Sequence, residues 1–194
     1  MARVHFVILA LIAITAAAPA RAQAQGPWTL EVRAGGSVPT GSFAGTDLEA
    51  GVGFEGSLGY RFAPGLSLFG GWDWQHRQAE DPLFGRAEDV EDTGYVYGLR
   101  FVTPGSATAK PFLRVAGLWN HVELEDEEGE LVADSEHTWG FEVGGGLDVS
   151  LSESWSLTPG VRYRRFEPAV RFGAAETEAR LSYVTFDVGF AWRF

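Results

Sequence analysis

From Trp28 to the carboxyl end, apolar residues recur at every second position in eight separate segments. They run Trp28, Leu30, Val32, Ala34; Val52, Phe54, Leu58, Tyr60, Phe62; Leu66, Leu68, Trp72, Trp74; and Tyr95, Tyr97, Leu99, Phe101. The second half gives Leu113, Val115, Trp119; Trp139, Phe141, Val143, Leu147, Val149; Trp155, Leu157, Val161, Tyr163; and Val184, Phe186, Val188, Phe190, Trp192, Phe194. A period of two places one set of side chains on one face of an extended strand, so the pattern predicts eight half-buried strands. The links between them alternate in length. Residues 63–65, 104–109 and 152–154 are short turns built from Pro, Gly and Ser, whereas 37–50, 77–92, 123–137 and 167–180 are long. This is the pattern of an antiparallel up-and-down meander, with the short turns and both termini at one end and the long loops at the other. An even strand number lets such a sheet close into a barrel.

Alternation does not say which face is outside. A soluble barrel is apolar within, a membrane barrel apolar without. The second face carries Glu31, Glu55, Asp73, Glu142, Asp148 and Asp187 together with Arg33, Arg61, Arg100, Arg114, Arg162, Arg164 and Arg193. The signs nearly cancel, and every base is arginine, whose planar guanidinium pairs bidentately with carboxylates and stays charged when desolvated. Glycines between these long side chains suit a narrow interior. On the apolar face the aromatics gather at the two strand ends, with Leu, Val, Ala and Gly between. Two aromatic girdles around an aliphatic band match the two interfaces of a bilayer. Outward Trp, Phe and Leu in such numbers would give a water-soluble monomer an intolerable apolar surface. The sequence therefore predicts an all-β, eight-stranded antiparallel transmembrane β-barrel with a charged interior.

The amino-terminal residues fit that destination. Arg3 is followed by an apolar stretch from Val4 to Ala18, then Pro19 and small residues at Ala20, Ala22 and Ala24. This is the order of a cleavable secretory signal peptide, with cleavage expected after Ala22 or Ala24. The expected division is a signal over 1–24 and a barrel domain over 25–194. No later apolar run is long enough for a membrane helix. The absence of cysteine removes disulfides and thiolate metal sites. A formal charge of −11 argues against a nucleic-acid partner.

The last eight residues, Asp187-Val188-Gly189-Phe190-Ala191-Trp192-Arg193-Phe194, carry a more specific resemblance. They are similar to the carboxy-terminal signal by which small outer-membrane barrels are recognised for assembly, with Asp187, Gly189, Trp192 and Phe194 at the matching positions. The chain from about residue 27 onward resembles the OmpA/OmpX-type family of Gram-negative bacteria. The resemblance implies an integral protein of the bacterial outer membrane, part of the cell envelope, with its termini in the periplasm. It also implies contact with outer-membrane lipid, lipopolysaccharide and the barrel-assembly machinery.

An eight-stranded barrel is just wide enough inside for side chains to fill it. The thirteen charges are expected to interlock, which favours a structural and surface-interaction role without catalysis or cofactor. A narrow ion or small-solute channel and an enzyme modifying lipid A or phospholipid are the alternatives. The net negative charge lies in the long links. Residues 77–92 contain Glu80, Asp81, Glu88, Asp89, Glu91 and Asp92 against Arg77 and Arg86, and 123–137 contain eight acids and no base. Such runs read as solvated surface able to attract divalent cations and, through them, lipopolysaccharide phosphates. If the third long hairpin centres near Gly129, Trp119 faces Trp139 and His121 faces His137. With Glu123 and Glu136 alongside, the histidines form a candidate weak cation site. His121 has no serine two residues away on its strand, Ser135 near His137 is expected in the loop, and no Gly-x-Ser-x-Gly turn occurs.

Overall fold

The computed structural model describes residues 26–83, 85–172 and 175–194. The expected signal segment, 1–24, lies outside the described residues. Eight long strands form the wall: β1 (Trp28–Pro39), β2 (Gly51–Ala63), β3 (Leu66–Leu83), β4 (Ala87–Val102), β5 (Ala109–Glu125), β7 (Thr138–Ser150), β8 (Trp155–Phe166) and β11 (Leu181–Arg193). Three short strands, β6 (Leu131–Ser135), β9 (Ala169–Phe172) and β10 (Ala175–Glu178), lie among the long links. Each long strand pairs antiparallel with its neighbours in the chain. The last pairs with the first, from Thr29↔Arg193 to Pro39↔Tyr183, so the barrel is closed and has no free edge.

Local chemistry explains the tight turns. Strands β2 and β3 are joined by Pro64 and Gly65 alone. Gly65 has φ 74°, in the left-handed region, and a Cβ there would overlap the Val102 carbonyl oxygen. At the opposite end, the Gly129 amide donates to Asp126 O at 2.8 Å, closing the β5–β6 turn where the sequence places it.

The links read as long loops at 77–92 and 123–137 are largely strand. Strands β3 and β4 run on to Leu83 and from Ala87, with Arg77 still paired to Val90. Strand β5 continues to Glu125 and pairs with β6, Glu123 facing Asp134. Within 167–180, β9 pairs with β10 and also with β6, Asp134 facing Arg171. The charge in these segments masks the alternation, because the wall inverts along its length. In the middle of the barrel, Leu113 and Val115 face outward while Arg114 is buried. Further along the same strand Val122 and Leu124 are fully buried, and Glu123 and Glu125 are on the outer side. A wall facing acyl chains is apolar outside, and the same wall continued into water must bury its apolar face instead. The inversion falls just beyond Tyr95, Trp119 and Trp139, which marks where the outer aromatic girdle ends.

Glycine at the strand crossings lets neighbouring backbones approach. A Cβ on Gly146 would overlap the Pro159 carbonyl oxygen and come 2.7 Å from Gly160 Cα and 2.9 Å from the Phe112 ring. Gly146→Val is therefore expected to lower stability by about 1–3 kcal/mol, the usual cost of overpacking. Urea unfolding of the refolded protein in micelles would read this as a lower midpoint; an unchanged midpoint would mean the wall yields there at no cost.

Candidate functional site

The interior holds a continuous column of ion pairs. At the end carrying the termini, Arg193 donates to Asp148 at 2.7 Å, and Arg100 reaches both Asp148 at 3.1 Å and Glu31 at 3.3 Å. Glu31 also accepts from Arg33 at 2.7 Å, whose other amino group meets Asp187. Asp187 in turn accepts from Arg162 Nε at 2.6 Å. The middle is a knot of three arginines and two glutamates. Arg114, Arg162 and Arg164 all donate to Glu55; Arg162 and Arg164 also donate to Glu142, and Arg114 Nε lies 2.6 Å from Glu142 as an ion pair. Arg164 continues to Asp73 at 3.0 Å, and Asn120 joins Asp73 at 2.9 Å to Asp92 at 3.4 Å.

Arg77 closes the column, donating to Asp92 Oδ2 at 2.6 Å and lying over the Tyr183 ring at 3.8 Å. Three further arginines sit over interior rings, Arg114 on Phe69 at 4.3 Å, Arg100 on Phe112 at 4.4 Å and Arg33 on Phe112 at 5.6 Å. These contacts satisfy the flat faces of guanidinium groups whose edges are engaged by carboxylates.

The structure places twelve of the thirteen expected interior charges in this column, and Arg61 outside it. Arg61 is exposed at the end carrying the termini, where it donates to Gly26 O at 3.4 Å. In exchange the column takes in Arg77 and Asp92, both fully buried, although the sequence places them in a solvated loop. The described column thus contains seven acids and seven arginines and is formally neutral. Beyond Arg77 the filling becomes apolar. Phe43, Leu83, Ala87, Val90, Leu124 and Val170 belong to one fully or nearly fully buried cluster at the hairpin end. At the other end lies a cavity of about 220 Å³ lined by Arg61, Arg100, Lys110, Asp148 and Arg193.

The outer wall at the hairpin end carries the second group of interest. Trp119 pairs with Trp139, and the next outward pair is His121 and His137, with Nδ1 of one 3.3 Å from Nε2 of the other. His121 Nε2 lies 3.1 Å from Glu123 Oε1. His137 packs on Trp119 at 4.9 Å and stacks with Tyr95 at 6.5 Å. Partial burial and the adjacent His121 hold its imidazole pKa below the ordinary value. Glu136, the fourth residue expected here, points elsewhere and pairs with Arg171 at 2.9 Å. Two further carboxylates, those of Glu91 and Glu125, lie on the same wall within 4.8 Å of Glu123 and of each other. Burial and the neighbouring carboxylates Glu91 and Glu123 push the Glu125 carboxyl up. The third histidine, His76, is tied to Asp89 at 3.0 Å.

The residues expected to form a carboxy-terminal signal divide between two faces. Asp187 is in the ion-pair column and Gly189 sits inward beside Thr158, while Trp192 stacks outward on Trp155 at 5.9 Å and on Phe194 at 4.6 Å.

A closed eight-stranded barrel with arginine and carboxylate inside and an apolar, aromatic-girdled wall outside is an integral outer-membrane protein of bacteria. The sequence matches the family described as outer membrane protein beta-barrel domain over residues 6–194, and the chain belongs to that family. Among solved structures it is similar to Neisserial surface protein A, with 16% identity, a TM-score of 0.63, and coverage of 89% of this chain and 100% of the other. It is also similar to OprG of Pseudomonas aeruginosa (16%, TM-score 0.62, 88% and 97%) and to Ail, the attachment invasion locus protein of Yersinia pestis (12%, TM-score 0.52, 87% and 100%). At these identities the likeness speaks for the fold. Comparison with curated protein sequences gave no match.

Proposed function

We propose that this protein is a sealed, non-catalytic barrel of the outer membrane that stabilises the envelope and presents acidic hairpins at the cell surface. In this reading the termini face the periplasm and the β3–β4 and β5–β6 hairpins face outward. The carboxy-terminal strand, through Asp187, Gly189, Trp192 and Phe194, is what the barrel-assembly machinery reads.

The observation that carries the proposal is the double filling of the lumen. Charge is matched to charge from Arg193 to Arg77, and an apolar cluster lies directly above. Leaving any of these buried charges unpaired would cost several kcal/mol, so the column favours one fixed arrangement over one that parts for a solute. Catalysis lacks support at the wall. Ser135, the serine nearest in sequence to His137, is buried and its hydroxyl accepts from the Val122 amide at 2.9 Å, on the face opposite the histidines.

The surface role follows from the hairpin charges. Carboxylates such as Asp89, Glu91, Glu123 and Glu125 stand on the water-facing wall just above the aromatic girdle, at the height where lipopolysaccharide phosphates begin. Two negative surfaces at that distance need divalent cations between them. Tryptic cleavage after Arg86, at the exposed β3–β4 tip, provides a readout. It is expected to be several-fold slower in lipopolysaccharide-containing vesicles with magnesium than in the same vesicles with chelator. Equal rates would contradict the surface reading.

A further inference from the structure

We propose that His121 and His137 chelate a transition-metal dication of the zinc or copper(II) class on the outer wall of the barrel, with Glu123 holding His121 in the ligating tautomer. Trp119↔Trp139 and Asn120↔Thr138 are the last pairs of β5 with β7, and the next outward position on each chain is a histidine. The facing nitrogens are 3.3 Å apart. Two nitrogen ligands held at about 2.0–2.1 Å from a tetrahedral zinc ion stand about 3.3–3.4 Å from each other, so the rings need little movement to share one ion.

The tautomer follows from the carboxylate. Glu123 Oε1 sits beside His121 Nε2 and takes the proton of that nitrogen as a hydrogen bond. The lone pair is then on Nδ1, the atom that faces His137. A carboxylate accepting from the far nitrogen of a ligating histidine fixes ring orientation and raises ligand basicity. His137 is oriented by a different means, its ring confined by Trp119 and Tyr95. The negative wall of Glu91, Glu123 and Glu125 raises the local concentration of dications. Imidazole nitrogen selects zinc or copper over magnesium and calcium, which favour oxygen. Water fills the remaining positions on the ion. This site is separate from the sealed-barrel reading above, and either can fail without the other.

The test is zinc titration of the folded protein in micelles by calorimetry, with copper(II) quenching of tryptophan fluorescence as a second readout, since Trp119 adjoins the pair. The proposal expects one tight site per chain. His121→Ala or His137→Ala should weaken it at least tenfold, and Glu123→Gln by about 10–100-fold. Glu136→Gln and His76→Ala should leave it unchanged, and excess magnesium should not compete. Heat-dependent gel mobility reports whether each variant is folded. Tight zinc binding that survives in folded His121→Ala/His137→Ala, that magnesium displaces, or that is absent from the wild-type chain would overturn the proposal.

Discussion

Glu55→Leu is expected to lower the unfolding free energy of the barrel by about 3–5 kcal/mol, the cost of removing one partner from a buried ion-pair cluster. Three guanidinium groups converge on Glu55, from Arg114 on β5 and from Arg162 and Arg164 on β8, and the carboxylate itself is fully buried. Without it, three positive charges share Glu142 with help only from Asp187 and Asp73. Their mutual repulsion is then no longer offset. Removing Arg164 as well, in Glu55→Leu/Arg164→Leu, should recover part of the loss, because one unmatched charge goes with it. Urea-unfolding midpoints in micelles, read by the heat-dependent gel shift, would give both numbers. A single variant as stable as the parent would mean that the central knot does not hold the barrel together.

Val115→Arg should be comparably damaging for the opposite reason. Val115 projects outward from the middle of β5, faces Val143 and Leu99 on the neighbouring strands, and is about half exposed. An arginine near the bilayer midplane on the lipid face costs about 2–4 kcal/mol, and the penalty falls toward the interfaces. The same substitution at Leu131, exposed on β6 beyond the aromatic girdle, should cost almost nothing. Folding both variants into phospholipid vesicles and comparing their urea stabilities measures the depth dependence. Equal effects at the two positions would place the membrane boundary elsewhere on the wall.

The eight strands, the inside-outside assignment and the closing arginine-carboxylate lining are legible because each side chain in the membrane section has a single solvent on its outer face. The alternation there obeys one rule from end to end. The hairpin extensions were not legible for a physical reason. Past Trp119 the outer solvent becomes water, the rule reverses, and the acids of 88–92 and 123–128 look like loop when read by charge alone. The signal was present: Val90, Val122 and Leu124 continue the inward parity of Gly94, Val96, Leu118 and Asn120. Read that way, Arg77 and Asp92 fall inside as well, and the two pair with each other. Arg61 errs in the other direction. It shares the inward parity of Glu55 and Ser57 but is the last residue paired before a register irregularity at the strand end, where parity no longer decides exposure.

The histidine pair shows what a register argument reaches and what it misses. Placing Trp119 opposite Trp139 brings His121 and His137 together from sequence numbers alone. Nothing in the sequence says that Glu123 would approach the far side of His121 while Glu136 turns to Arg171, since that depends on β9 folding back beside β6.

A sealed lumen leaves no through path for ions. Single-channel recording of the folded protein in planar bilayers tests it directly, with incorporation checked by recovery of the heat-modifiable species. The predicted trace stays at the bare-membrane baseline at every applied voltage. Discrete current steps that grow with salt concentration would show that the column from Arg193 to Arg77 and the apolar cluster above it do not close the barrel.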